Sequence, residues 1–210
     1  MESKLKFPDW GYLNKYKNEN ALFLAPALGE QRIVFFGDSI TEGWKTIHPI
    51  FFVGKSYINR GINGQTTSQM LLRFRSDVIE LKPQIVVILA GGNDIAENTG
   101  PITHETILGN LISMCELAKA NNIKTALCSI LPANDFPWKR GMEPAYKIEA
   151  LNKMILKYAK ANDIAYVDYY STMADEQKGL KSIYSEDGVH PNKEGYRVME
   201  PIVETIINYL

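Results

Sequence analysis

The chain has 210 residues, 45% of them hydrophobic, and its 23 basic and 24 acidic side chains leave a formal charge of −1 at neutral pH. That length suits one domain, which buries roughly 70% of its unfolded surface and needs neither disulfides nor metals to fold. The balanced charge offers no basic face for nucleic acid and no acidic tail.

A single domain over residues 1–210 is expected, with residues 1–30 as an N-terminal extension packing on it. Residues 21–28 are apolar enough to resemble a signal-peptide core, but they follow a charged and aromatic segment containing Glu19 and run into the first core strand, so they read as mature protein. As written the chain reads as cytoplasmic; a leader already removed would make it secreted or periplasmic. Residues 21–28 and 85–92, the longest apolar stretches, fall far short of the ~20 residues that cross a bilayer, so no membrane span is expected.

Apolar runs of strand length then alternate with amphipathic helical patterns, the signature of a parallel sheet covered on both faces. A strand at 33–36 ends in Gly37, and a second at 57–59 leads to Arg60 and Gly61. Thr66 and Gln69 stand at capping-box spacing before a helix with Leu71, Phe74 and Val78 on one face, which stops before Pro83. The third strand, 85–90, is apolar on both faces and ends in Gly91, Gly92, Asn93 and Asp94. A helix with Ile107, Leu111, Met114 and Ala118 inward follows, then a strand at 123–130 and a surface loop at 131–143 holding Trp138 and Arg140. Pro144 opens a helix with Ile148, Leu151, Ile155 and Tyr158 inward. After a fifth strand at 164–168 and an irregular segment to Asp187, Pro191 fits the first turn of a closing helix with Val198, Ile202 and Ile206 inward.

Ligands of an open α/β sheet lie at the carboxyl ends of its strands, where Asp38, Ser39, Gly61, Asn93 and Asp94 fall. A serine hydroxyl becomes a nucleophile when a base takes its proton, and His190 is the candidate base. Asp187, three residues upstream, can hold the other ring nitrogen and fix the tautomer. The Gly-x-Ser-x-Gly elbow is absent, because Thr41 stands where its second glycine would be.

These blocks resemble those of the SGNH hydrolases, the GDSL-like lipases and esterases: Gly37 to Thr41, Asn59 to Gly64, Gly91 to Asp94, and Asp187 to Pro191, in order. The resemblance implies a three-layer α/β/α sandwich with a five-stranded parallel sheet in flavodoxin-like order. It implies Ser39, Asp187 and His190 as a catalytic triad, with Ser39 and Gly61 N–H groups and the Asn93 side chain as the oxyanion hole. It implies acyl ester hydrolysis with no metal or organic cofactor, and the wording is similar to small bacterial esterases akin to platelet-activating-factor acetylhydrolase subunits and to carbohydrate acetyl esterases. The substrate expected is a small-molecule or glycan ester, the short-chain, acetyl-type ester of a carbohydrate or lipid-like alcohol; lysophospholipase or thioesterase activity, or a non-catalytic glycan- or lipid-binding module, are the alternatives.

Asp38, Asp94, Trp138 and Arg140 are the further candidates for substrate contact. Trp138 offers a stacking face for a sugar and Arg140 a site for an anion. His48, before Pro49, and His104, in a first helical turn, read as surface residues, and no second ligand stands at metal spacing to His190. Cys115 and Cys128 read as buried free thiols. A nucleotide-binding reading lacks a glycine-rich phosphate loop.

Overall fold

The structure, a computed structural model, describes residues 9–210. The first eight residues of the expected N-terminal extension lie outside the described residues. Five parallel strands run β1 (Ile33–Gly37), β2 (Tyr57–Gly61), β3 (Ile85–Leu89), β4 (Lys124–Cys128) and β5 (Ala165–Val167), in the order β2-β1-β3-β4-β5. The helices are α1 (Lys17–Asn20), α2 (Ser39–Ile47), α3 (Thr67–Asp77), α4 (Gly92–Ile95), α5 (His104–Ala120), α6 (Pro144–Ala161), α7 (Tyr169–Met173) and α8 (Lys193–Tyr209).

The strands are apolar throughout because both faces are covered. Val34 and Phe36 of β1 join Val86 and Ile88 of β3 in a core with Met70, Phe74, Leu111 and Ile155 from α3, α5 and α6. Ile33 and Phe35 point the other way, to Trp44 of α2 and Tyr196, Met199 and Val203 of α8. Trp44 stacks between Phe51, at 4.8 Å, and Tyr196, at 5.3 Å. The sheet and its two helical layers are the sandwich expected, and Cys115 and Cys128 are free and buried.

Four expectations change. The closing helix begins after Pro191: Asn192 is its N-cap and accepts from Gly195 N–H at 3.0 Å. Its innermost stripe is Tyr196, Met199, Val203 and Ile207, while Val198, Ile202 and Ile206 are half-buried at its flank. The segment before Asp187 contains the short helix α7, capped by Asp168, rather than irregular chain alone. His48 is buried, not a surface residue, and its Nδ1 lies 2.5 Å from Glu200 Oε1 on α8.

Residues 9–30 pack along the edge strand β2 and helix α3. Arg60 of β2 is fully buried beneath this segment: its Nη1 donates to Glu19 at 2.9 Å, its Nε to Asn20 at 2.9 Å, and Tyr16 lies over its guanidinium at 4.5 Å. Tyr16 also donates its hydroxyl to Gly61 O. On the same face of the sheet, Arg73 of α3, also fully buried and lying over the Phe36 ring, donates to Gly37 O, Arg60 O and Asp77 at 2.9 to 3.0 Å. The carboxyl ends of β1 and β2 are thereby clamped to each other and to α3.

Candidate active site

Strand order reverses at β1, where the chain passes first to β2 and then across to β3, so the loops after β1 and β3 diverge and leave a crevice between them. Ser39 stands there as the first residue of α2. Asp38 caps that helix, accepting from Ile40 N–H at 3.0 Å, which leaves the Ser39 hydroxyl at the positive end of the helix dipole. The Ser39 main-chain N–H has no protein acceptor among the described residues.

His190, 151 residues along, meets Ser39 with its Nε2 3.0 Å from the hydroxyl oxygen. Its Nδ1 lies 2.7 Å from Asp187 Oδ2. The other oxygen of Asp187 accepts from the Val189 and His190 N–H groups at 2.9 and 2.8 Å. Burial pushes the Asp187 carboxyl up, but the bonds from the His190 ring and from these main-chain groups outweigh it and hold the carboxyl at about 2. Ser185, buried in the same turn, reaches Asp187 Oδ1 at 3.1 Å and His190 O at 2.8 Å and accepts from Gly188 N–H. Its only sequence signal is a small hydroxyl residue two positions before Asp187, which turns of many kinds share.

On the other flank of Ser39 stands Asn93, at the start of α4. Its Nδ2 donates to Asp38 Oδ2 at 3.2 Å and to Gln65 O at 3.1 Å. Gly61 does not supply a free donor: its N–H is committed to Asn59 Oδ1 at 3.0 Å. It is glycine for packing, since a Cβ there would stand 2.0 Å from Glu42 N of α2. Gly64, three residues on, has φ +75°, a conformation that favours glycine, and its N–H has no protein acceptor among the described residues. Gly64 belongs to the same loop as Gln65, whose carbonyl touches Asn93.

Asp38 and Asp94 are not surface groups waiting for substrate. Asp38 is 4% exposed, and burial, eased by the Ile40 N–H, pushes its carboxyl up to about 6. Asp94 is 1% exposed and accepts from the N–H and hydroxyl of Thr67, thereby capping α3 from the short helix α4. Arg140 is committed to Asp135 in its own loop at 3.4 Å, with its side chain 78% exposed, and makes no contact with the triad. Trp138 does reach the site: its ring centre lies 5.8 Å from that of His190 and it stacks on Phe136 at 5.1 Å.

A cavity of about 570 Å³ opens beside Asp187 and His190 and is lined further by Ile47, Glu186, Asn192 and Lys193. A larger one, of about 720 Å³, lies at the amino-terminal ends of β4 and β5 near Asn122 and Tyr158, and holds no part of the Ser39 constellation. Among the described residues no three His, Cys, Asp or Glu side chains group as metal ligands, and no helix is long and apolar enough to cross a membrane.

Comparison with known proteins adds an independent line. The model of the GDSL-like lipase/acylhydrolase family matches residues 35–198. Esterase TesA of Pseudomonas aeruginosa is 28% identical over 183 residues, 81% of this chain and 84% of that one. Thioesterase 1/protease 1/lysophospholipase L1 of Escherichia coli is 27% identical over 179 residues, 80% of this chain and 79% of that one. An uncharacterised lipoprotein of Bacillus subtilis is 31% identical over 121 residues, and there the match spans half of each chain. The crystal structure of a GDSL-like lipase from Bacteroides thetaiotaomicron is 50% identical, covers 95% of this chain and 98% of that one, and superposes with a TM-score of 0.93.

Proposed function

The chain belongs to the GDSL-like lipase/acylhydrolase family and cleaves esters, and from that premise we propose that it does so through an acyl-enzyme on Ser39, with His190 as base and Asp187 as the group that orients it. The observation that carries this reading is the contact of Ser39 Oγ with His190 Nε2 at 3.0 Å, made across 151 residues of chain.

Asp187 accepts the Nδ1 proton of His190, so the neutral ring presents a lone pair at Nε2. As Ser39 Oγ attacks the ester carbonyl carbon, its proton passes to Nε2. The imidazolium then protonates the leaving alkoxide, which departs as the alcohol. Water repeats the sequence on the acyl-Ser39 ester and releases the carboxylic acid. In each half the carbonyl oxygen becomes an oxyanion, and we assign its donors as the Ser39 N–H, the Gly64 N–H and the Asn93 amide. Gly64 takes the place of Gly61 because its N–H is uncommitted, while the Asn93 NH₂, whose contacts to Asp38 Oδ2 and Gln65 O are long at 3.2 and 3.1 Å, exchanges one of them for the oxyanion. Each such donor lowers the barrier by about 3 kcal/mol.

Short acyl groups suit the site, because Trp44 and Phe51, the large apolar residues of the neighbouring α2 layer, are closed into the core at 2% and 3% exposure. On the leaving-group side, the half-exposed face of Trp138 and the Glu186, Asn192 and Lys193 lining fit a polyhydroxylated alcohol, so an acetylated sugar is the substrate class we favour. The name of the Escherichia relative favours a second reading, in which the same triad turns over thioesters or lysophospholipids.

A fluorophosphonate probe followed by peptide mass spectrometry tests the nucleophile: label is expected on Ser39, and label elsewhere or none overturns the assignment. Ser39→Ala should lose roughly four orders of magnitude in kcat while keeping its fold. An ester panel graded by acyl length, with acetylated sugars, thioesters and lysophospholipids, separates the two substrate readings.

A further inference from the structure

An asparagine side chain can face a developing oxyanion with either of two groups of opposite sign, and only its NH₂ helps. What fixes the choice at Asn93 is visible on both sides of its amide. The Nδ2 side meets two acceptors, Asp38 Oδ2 and Gln65 O. The Oδ1 side meets one donor, Asn98 Nδ2, at 2.8 Å, the shortest of the contacts to this amide. Asn98 returns its main-chain N–H to Asn93 O at 3.0 Å, and its Nδ2 also lies 3.4 Å from Gly64 O. Its own amide is oriented in turn by the indole of Trp138, whose Nε1 donates to Asn98 Oδ1 at 3.1 Å.

We propose that Asn98 is a positioning residue for ester cleavage, acting by donating to Asn93 Oδ1 so that the Asn93 NH₂ is held toward the oxyanion. The proposal rests on the assignment of Asn93 as an oxyanion donor. Indole, first amide and second amide form a series in which each N–H donates to the next carbonyl oxygen. Donation to an amide oxygen draws charge from its nitrogen and makes the N–H groups there stronger donors. The series also joins the loops after β2, β3 and β4 at one side chain, so the distance between the Trp138 platform and the oxyanion donor is set by Asn98. Since Asn98 is exposed, truncating it leaves no buried cavity.

The test is a double-mutant cycle on the full chain with 4-nitrophenyl acetate as substrate. Asn98→Ala should lower kcat about tenfold with KM within about twofold of the parent. Asn93→Ala should lower kcat further, and adding Asn98→Ala to it should cost less than about twofold more, since the group acted upon is gone. Equal losses from Asn98→Ala in both backgrounds overturn the proposal, because the effect would then lie in loop anchoring and not in Asn93. A parent-like Asn98→Ala beside a slow Asn93→Ala overturns the proposal alone. A parent-like Asn93→Ala overturns the oxyanion assignment and this proposal together.

Discussion

Replacing Asp187 by Asn separates the charge of the triad carboxylate from its geometry. Oδ1 of Asp187 faces two main-chain N–H groups, at 2.8 and 2.9 Å, and Oδ2 faces His190 Nδ1 at 2.7 Å. In the variant the amide oxygen must keep the Oδ1 place, because turning the NH₂ toward two N–H donors forfeits both bonds, at about 1 kcal/mol each, and sets donor against donor. The NH₂ therefore faces Nδ1. A neutral imidazole can meet it only by accepting there, which puts the ring proton on Nε2, against Ser39 Oγ. The base then has no lone pair for the serine proton, a fault worth about 10⁴ in kcat where the wrong tautomer is imposed. Steady-state kinetics should show Asp187→Asn losing roughly 10³ to 10⁴ in kcat with little change in KM. Asp187→Ala, which imposes no tautomer, should be the faster of the two variants. An Asn variant within tenfold of the parent, or faster than the Ala variant, refutes the tautomer argument.

Arg73→Ala should destabilise the fold by about 3 to 5 kcal/mol in urea denaturation, because it strips a fully buried partner from Asp77 and donors from the Gly37 and Arg60 carbonyls; a cost below about 1 kcal/mol would show that the clamp does not hold the strand ends. The buried Asp38 carboxyl, raised to about 6, binds its proton more tightly folded than unfolded, so between about pH 4 and pH 6 its contribution to stability falls as pH rises and is level above that. Asp38→Asn, which cannot ionise, should show a shallower fall over that window than the parent, and parallel curves would remove Asp38 as the source.

Much of the architecture is legible in sequence for a physical reason. Strands covered on both faces need unbroken apolar runs, and β1 and β3 have them because Val34 and Phe36 enter one core while Ile33 and Phe35 enter the other. Thr66 and Gln69 announce the start of α3 by a local rule, and the Gln69 side chain does accept from Thr66 N–H at 3.1 Å. What sequence hides is non-local. His48, beside a proline in a connecting turn, reads as exposed until α8 brings Glu200 to it from 152 residues away. The inward stripe of α8 is decided by Tyr196 meeting Trp44, not by the aliphatic period of Val198, Ile202 and Ile206. Nothing local marks Arg60 and Arg73 for burial, and both are fully buried because residues 9–30 and the strand ends close over them.

The same distinction separates the candidates that the fold has already committed from those it leaves open. Every polar residue at a strand end is there to satisfy groups left over where strand or helix stops, and sequence cannot say whether the group it satisfies belongs to the protein or to a ligand. Asp38 and Asp94 each accept from the first turn of a helix, α2 and α3, and Gly61 gives its N–H to Asn59; all three are committed within the fold. Among the described residues Ser39 and Gly64 keep main-chain N–H groups without protein acceptors, and Gly64 precedes the Gln65 whose carbonyl meets Asn93. Sequence alone points to Gly61, and the preference for Gly64, three residues on, turns on a single side chain, Asn59, reaching two residues forward. Removing that reach, as in Asn59→Ala, would free the Gly61 N–H without moving it from beneath α2, where a Cβ already finds no room. Gly61 stays buried there, whereas Gly64 is half-buried and its N–H has no protein acceptor among the described residues, which is why we propose Gly64 as the oxyanion donor.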